Sequence, residues 1–287
     1  MKALAVLAAL ALLVSPQGPA AAARPQIIGI SHAAIQTSDM RQARAFYGDV
    51  LGFAERAPQR AHVAIFVVNP RQWLVVRDGL PADRDERFIH LAFETDVTAM
   101  RQFLVARTIA TDEPRADTEF GGRYIATADP DGHSVRFVPA DPAPAAPSGP
   151  DRRISRRILH AGLTVKDAVA ADRFYKDTLG FSETWRGGRP DGSTSWINMR
   201  VPDGTDYLEY MLYPTVPPDR RQLGSAHHVA LLVPDIQQAL ETVRARTRPG
   251  DRNHAANPSI GVNNRWQLNV FDPDGTRVEF MEAWTVR

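Results

Sequence analysis

The chain has 287 residues, with 34 basic and 33 acidic side chains, 44% hydrophobic residues and no cysteine. Its length suits two domains of ordinary size and its apolar content supplies a core, which excludes a disordered or collagen-like chain. A net charge of +1 gives no field to steer nucleic acid, and without cysteine there are no disulfides, thiolate metal sites or cysteine nucleophile, so any metal must be held by His, Asp or Glu.

At the N-terminus Met1-Lys2 leads into the apolar run ALAVLAALALLV, then Ser15-Pro16-Gln17-Gly18-Pro19 and the small residues Ala20 to Ala23. A short positive start, an apolar segment and an A-x-A site predict a secretory signal peptide over residues 1–23. The run is shorter than the ~20 residues of a spanning helix, and Pro16, Gly18 and Pro19 interrupt it. The expectation is a periplasmic or secreted protein with no stable membrane insertion once the leader is cleaved.

Beyond the leader, IIGISHAAIQT reads as a strand and DMRQARAFYGDVLGF as an amphipathic helix stopped by Gly52, followed by the strand-like HVAIFVV and QWLVVR. The pattern restarts at RFIHLAFET, with a helix (VTAMRQFLVAR) and two more strands, RYIATA and SVRFVPA. The Pro/Ala/Gly-rich PADPAPAAPSGP predicts a linker, set at 140–152. The second half repeats the plan with ILHAGLTV, a helix from about Ala168 to Leu179, TSWINMRV and DYLEYMLY. HHVALLV, a helix from Ile236 to Arg246, WQLNVF and RVEFMEAW then follow.

The repetition is explicit in the residues. Phe46 to Phe53 (FYGDVLGF) is echoed by Phe174 to Phe181 (FYKDTLGF), an offset of 128 that also carries His32 onto His160, and Asp-Pro-Asp-Gly recurs at 129–132 and 272–275. An α+β architecture follows: four βαβββ modules paired into two domains, 27–139 and 153–287.

A histidine in the first strand, a helix ending FYxDxLGF, and a last strand introduced by DPDG and containing Glu together resemble the vicinal oxygen chelate superfamily. That group includes glyoxalase I, fosfomycin-resistance proteins and extradiol dioxygenases, and the resemblance covers nearly all of residues 27–285. It implies paired modules, each pair curling its sheet around a metal-containing cleft.

In the second half, His160 and His228 begin equivalent strands, Glu279 lies on the final strand and Glu209 at the matching point of the third module. The separations, 49 and 51 residues, agree to within two. Two imidazoles and two carboxylates make a nitrogen/oxygen site for a divalent ion such as Zn, Ni, Mn or Fe. His228 is chosen over His227 because Val229-Ala230 aligns with Leu91-Ala92 after His90. In the first half His32 and His90 persist, but Arg136 stands in place of Glu279 and the fourth position is apolar. The first domain is therefore read as degenerate for metal, or alternatively as an anion-binding cleft of Arg136, His32 and His90.

Two matched His/Glu pairs resemble glyoxalase I, with Glu209 and Glu279 as catalytic carboxylates and a small substrate chelating through adjacent oxygens. The glutathione-holding Arg and Asn of that family fall here at Thr164 and Tyr213. Extradiol dioxygenases resemble the chain in confining their two His and one Glu to the second domain, but their acid/base His and Tyr fall at Ile260 and Asn269. A non-catalytic binding protein resembling the bleomycin-resistance group is the third reading. Tyr213, Asn264, Arg265 and Trp266 are the expected substrate contacts, with Asn263 a further polar contact in the same loop.

Overall fold

A computed structural model describes residues 23–57, 59–139, 150–213 and 217–286. The expected leader up to residue 22 and most of the expected linker lie outside the described residues. Among the described residues no helix is long and apolar enough to cross a membrane.

The first sheet contains β1 (Ile27–Thr37), β2 (Ala54–Glu55), β3 (Val63–Asn69), β4 (Gln72–Asp78), β5 (Phe88–Thr95), β6 (Arg115–Ala116), β7 (Arg123–Ala128) and β8 (Ser134–Val138), in the order β2-β3-β4-β1-β5-β8-β7-β6. The second repeats it with β9 (Ile158–Val165), β10 (Ser182–Gly188), β11 (Thr194–Arg200), β12 (Tyr207–Leu212), β13 (His228–Val233), β14 (Ser259–Ile260), β15 (Arg265–Phe271) and β16 (Arg277–Thr285), in the order β10-β11-β12-β9-β13-β16-β15-β14. Each sheet joins two modules through their first strands, β1 with β5 and β9 with β13, both antiparallel. The four-module α+β architecture read from the repeat is the one observed.

Helices α1 (Met40–Arg44), α2 (Val97–Val105), α3 (Ala168–Asp172) and α5 (Ile236–Arg246) are each N-capped by an aspartate: Asp39, Asp96, Asp167 and Asp235. The sequence expects one continuous helix after each of β1 and β9. Instead, α1 and α3 each widen into a π-helical turn, Ala45–Val50 and Arg173–Thr178, that buries the Phe-Tyr pair. Gly52 and Gly180 follow with φ of +80° and +81°, a backbone turn that other residues rarely take. A short α4 (Arg220–Ala226), closed by a capping box at Asp219, was not anticipated.

Period-two alternation splits each central strand. Ala161, Leu163 and Val165 enter a core cluster that also contains Ile30, Phe93 and Phe137 of the other domain, whereas His160 and Gly162 occupy the opposite face. The two domains thus share one continuous apolar core.

The two repeated motifs meet across this seam, each in the other domain. Tyr47 donates to Asp272 Oδ2 at 3.1 Å, and Tyr175 donates to Asp129 Oδ2 at 3.0 Å. Lys166 N likewise donates to Asp131, and Thr37 Oγ1 and Ser38 N donate to Asp274. FYxDxLGF and DPDG are therefore the two halves of a reciprocal interlock.

Burial pushes the Asp272 carboxyl up to about 6, against hydrogen bonds from Thr276 and Tyr47. A folded-state value above the unfolded ~3.9 means that its contribution is fully present below about pH 4 and is lost as pH rises through about 6. Asp272→Asn, whose amide oxygen can keep the bonds from Thr276 N and Asp274 N while its NH2 donates to the Tyr47 hydroxyl, is expected to lower the pH dependence of stability across that window by on the order of 3 kcal/mol. Urea titrations at several pH values measure it; a wild-type-minus-variant difference that stays constant with pH contradicts it.

Candidate metal centre

His160 is carried by β9, Glu209 by the parallel neighbour β12, His228 by β13 and Glu279 by β16. The register pairs Glu209 with Gly162 and Glu279 with Ala230. These pairings put all four side chains on the face opposite the core. His160 Nε2 lies 3.0 Å from His228 Nε2. Glu209 Oε2 is 3.8 Å from His160 Nε2 and 3.5 Å from His228 Nε2, and Glu279 Oε2 is 3.6 and 3.3 Å from the same atoms. The imidazoles are fully buried and the carboxylates 8% and 3% exposed.

This donor set fits a divalent cation. Nδ1 of His228 is 2.8 Å from the Ala226 carbonyl, which can only accept, so Nδ1 carries the proton and Nε2 turns a lone pair inward. Burial, and then Arg277, lower the His228 pKa to about 3, leaving the imidazole neutral as a ligand must be. Burial pushes Glu209 up, with His160 opposing. For Glu279 burial also opposes ionisation, but Arg277 and the two imidazoles hold it well below the usual range. With the His228 lone pair and two carboxylate oxygens turned toward one another in a buried cluster, a cation between them would offset the charge. His227, the alternative, turns away: Nδ1 meets Glu86 Oε1 at 2.8 Å and Nε2 meets Thr164 Oγ1 at 2.9 Å.

The first domain copies the scaffold without the carboxylates. His32 Nε2 and His90 Nε2 stand 2.9 Å apart. Register places Val75 where Glu209 stands and Arg136 where Glu279 stands. Phe120 stacks on His32 at 4.6 Å and packs on Trp73. Arg136 lies over the Tyr124 ring.

A cavity of about 230 Å³ opens on the second-domain cluster. Glu209, Glu279 and Arg277 line it, with Trp185 and Trp196 as aromatic walls and Asn263 and Gln267 among its polar groups. The substrate contacts expected from sequence fall in different places. Tyr213 lies past the end of β12 and lines a separate cavity with Thr164 and Gln222. Asn264, at φ 58°, is exposed and donates to the Val286 carbonyl. Trp266 packs against the core. Arg265 lines an adjoining cavity of about 300 Å³ that shares Trp185 and Asn263 with the first. Asn263 of the same loop and Gln267 of β15 line the cavity on the cluster.

Strand pairing sets two asparagines against the carboxylates. Asn198 sits opposite Glu209 and Asn269 opposite Glu279, each the cross-strand partner of a carboxylate; their Oδ1 atoms are buried without partners. Gly162 makes room for the His228 ring, since a Cβ there would fall 2.1 Å from Cε1. Gly162→Ala is expected to preserve the fold, because Ala34 fills the equivalent place in the first domain, yet to displace His228 and weaken metal binding by roughly 10–100-fold. Competition with a fluorescent chelator reads this out, and wild-type affinity would show that His228 has slack to move.

The sequence matches the family model described as Glyoxalase/Bleomycin resistance protein/Dioxygenase superfamily twice, over residues 29–137 and 157–280. No curated protein matches the chain. Solved structures similar to it include the 2,3-dioxygenase LapB from Pseudomonas sp. KL28, at 19% identity and TM-score 0.69, covering 91% of this chain and 94% of that one. Homoprotocatechuate 2,3-dioxygenase from Arthrobacter globiformis matches at 20% identity and TM-score 0.69, covering 90% and 80%. The Brevibacterium fuscum enzyme in complex with 3,4-dihydroxyphenylacetate matches at 20% and 0.68, covering 91% and 82%.

Proposed function

The chain belongs to the glyoxalase/bleomycin resistance protein/dioxygenase superfamily, and on that premise we propose that it is a metal-dependent enzyme of glyoxalase type. It would act as an isomerase or lyase on a small molecule that presents two adjacent oxygens. The observation that carries this reading is the convergence of two imidazoles and two carboxylates, all from the second domain, beside a cavity that the two carboxylates line. His160, Glu209, His228 and Glu279 would hold the ion. A divalent ion supplies Lewis acidity there, polarising substrate oxygens.

The chain's own residues do the rest. Glu209 lines the cavity and accepts a carbon-bound proton from the substrate and returns it at a neighbouring position. Trp185 and Trp196 enclose the reacting part and exclude water. His160, stacked on Tyr207 at 4.5 Å, keeps its orientation through that contact.

A second reading, an iron(II) extradiol-type dioxygenase, is favoured by the confinement of the carboxylates to the second domain and by the fold shared with such enzymes. Against it, among the described residues no histidine or tyrosine outside the metal cluster lines the cavity, Tyr207 directs its hydroxyl to Met281 Sδ, and His254 lies beside Thr247. The export expected from residues 1–23 would also put the protein where ferrous iron oxidises readily. Purified metal-loaded protein separates the readings: exchange of substrate α-protons with deuterated solvent supports the isomerase, and oxygen uptake with catechols supports the dioxygenase. Protein that purifies without metal and is indifferent to chelator would favour a binding module.

A further inference from the structure

We propose that Arg277 is an anion anchor in the second-domain cavity, and that the ligand is an aromatic or similarly planar molecule carrying a carboxylate at or beside its adjacent oxygens. This rests on the reading of that cavity as the active site. Arg277 precedes Glu279 by two residues on β16, so the two share a face, and both line the cavity. Its Nη2 is 2.8 Å from Nδ1 and 2.9 Å from Nε2 of His228. Near-equal distances to both ring nitrogens put Nη2 over the ring face, with an N–H directed at the ring where neither lone pair points. The Nε is buried and has no hydrogen-bond partner.

Other arginines are matched with carboxylates: Arg44 with Glu55, Arg71 with Glu94, Arg157 with Asp206. Among the described residues Arg277 has no such ion pair, because the two nearby glutamates are turned to the imidazoles. A guanidinium left this way is costly and, beside a cluster built for a cation, works against it. The scaffold does not require it, since Ser134 holds the equivalent register in the first domain. A carboxylate entering between the indoles of Trp185 and Trp196 would receive the guanidinium fork and offset its charge, and Asn263 and Gln267 would offer further amide contacts.

The test is tryptophan-fluorescence titration of the metal-loaded protein with mandelate and with mandelamide, its neutral counterpart of the same shape. Wild type should prefer mandelate by about tenfold or more, the scale of one charge-assisted hydrogen bond. Arg277→Gln should lose that preference while keeping its metal content and mandelamide affinity, and Arg277→Lys should keep part of it. Three results overturn the proposal: unchanged mandelate binding in Arg277→Gln, equal loss of both probes together with metal, which would make Arg277 a positioning residue for His228, and no binding of either probe to wild type. A wild type that takes up no metal yet prefers mandelate through Arg277 would refute the proposed function and leave the anchor standing.

Discussion

His228→Ala is expected to purify without stoichiometric divalent metal, while His90→Ala keeps the wild-type content. The two histidines occupy equivalent places in the repeat, and each faces a second imidazole at about 3 Å. What differs is the surroundings. His228 is the best-directed donor of its cluster, its tautomer fixed by Ala226, and its loss leaves His160 and two carboxylates around a hole. The loss in affinity should exceed the roughly 10–100-fold typical of residues that only support a ligand. His90 faces Arg136 and Val75 positions that offer no ligand, so its removal should cost stability through a buried cavity without touching metal. Elemental analysis of the two proteins decides the matter. Metal lost from His90→Ala and retained by His228→Ala would move the site to the first domain.

Glu209→Gln is expected to keep a bound ion yet lose proton exchange by 10²–10⁴-fold, the usual worth of a positioned base. His160, His228 and Glu279 by themselves form a group of converging ligand atoms, so three donors survive the change. The amide matches the carboxylate in shape but cannot take up a proton. Exchange at the wild-type rate in the loaded variant would assign the proton transfer to Glu279 or to solvent. Complete loss of metal would instead make Glu209 chiefly a ligand.

Much of this was legible in the sequence because the chain repeats itself. One offset of 128 residues aligns His32 with His160 and the FYxDxLGF motifs with each other, and the matched separations place Glu209 beside Glu279. Cross-strand and cross-domain relations were not legible. Asn198 and Asn269 stand 11 and 10 residues before the glutamates they face, but only the register of the paired strands sets them opposite, and Gly162 is notable only because a ring from another strand lies over it. The reciprocal Tyr47–Asp272 and Tyr175–Asp129 contacts explain why both motifs recur, but sequence similarity alone does not say that each motif meets its counterpart in the other domain. Arg277 was in plain sight within DPDGTRVEF, and period-two alternation with Glu279 was the signal that could have found it.

The central claim is a single metal centre built from the carboxylates that only the second domain retains. Elemental analysis of the purified protein beside its Glu279→Ala variant tests it most directly. One divalent ion per chain in the wild type and none in the variant is the result expected. Two ions per chain, or one that survives the substitution, would contradict the account.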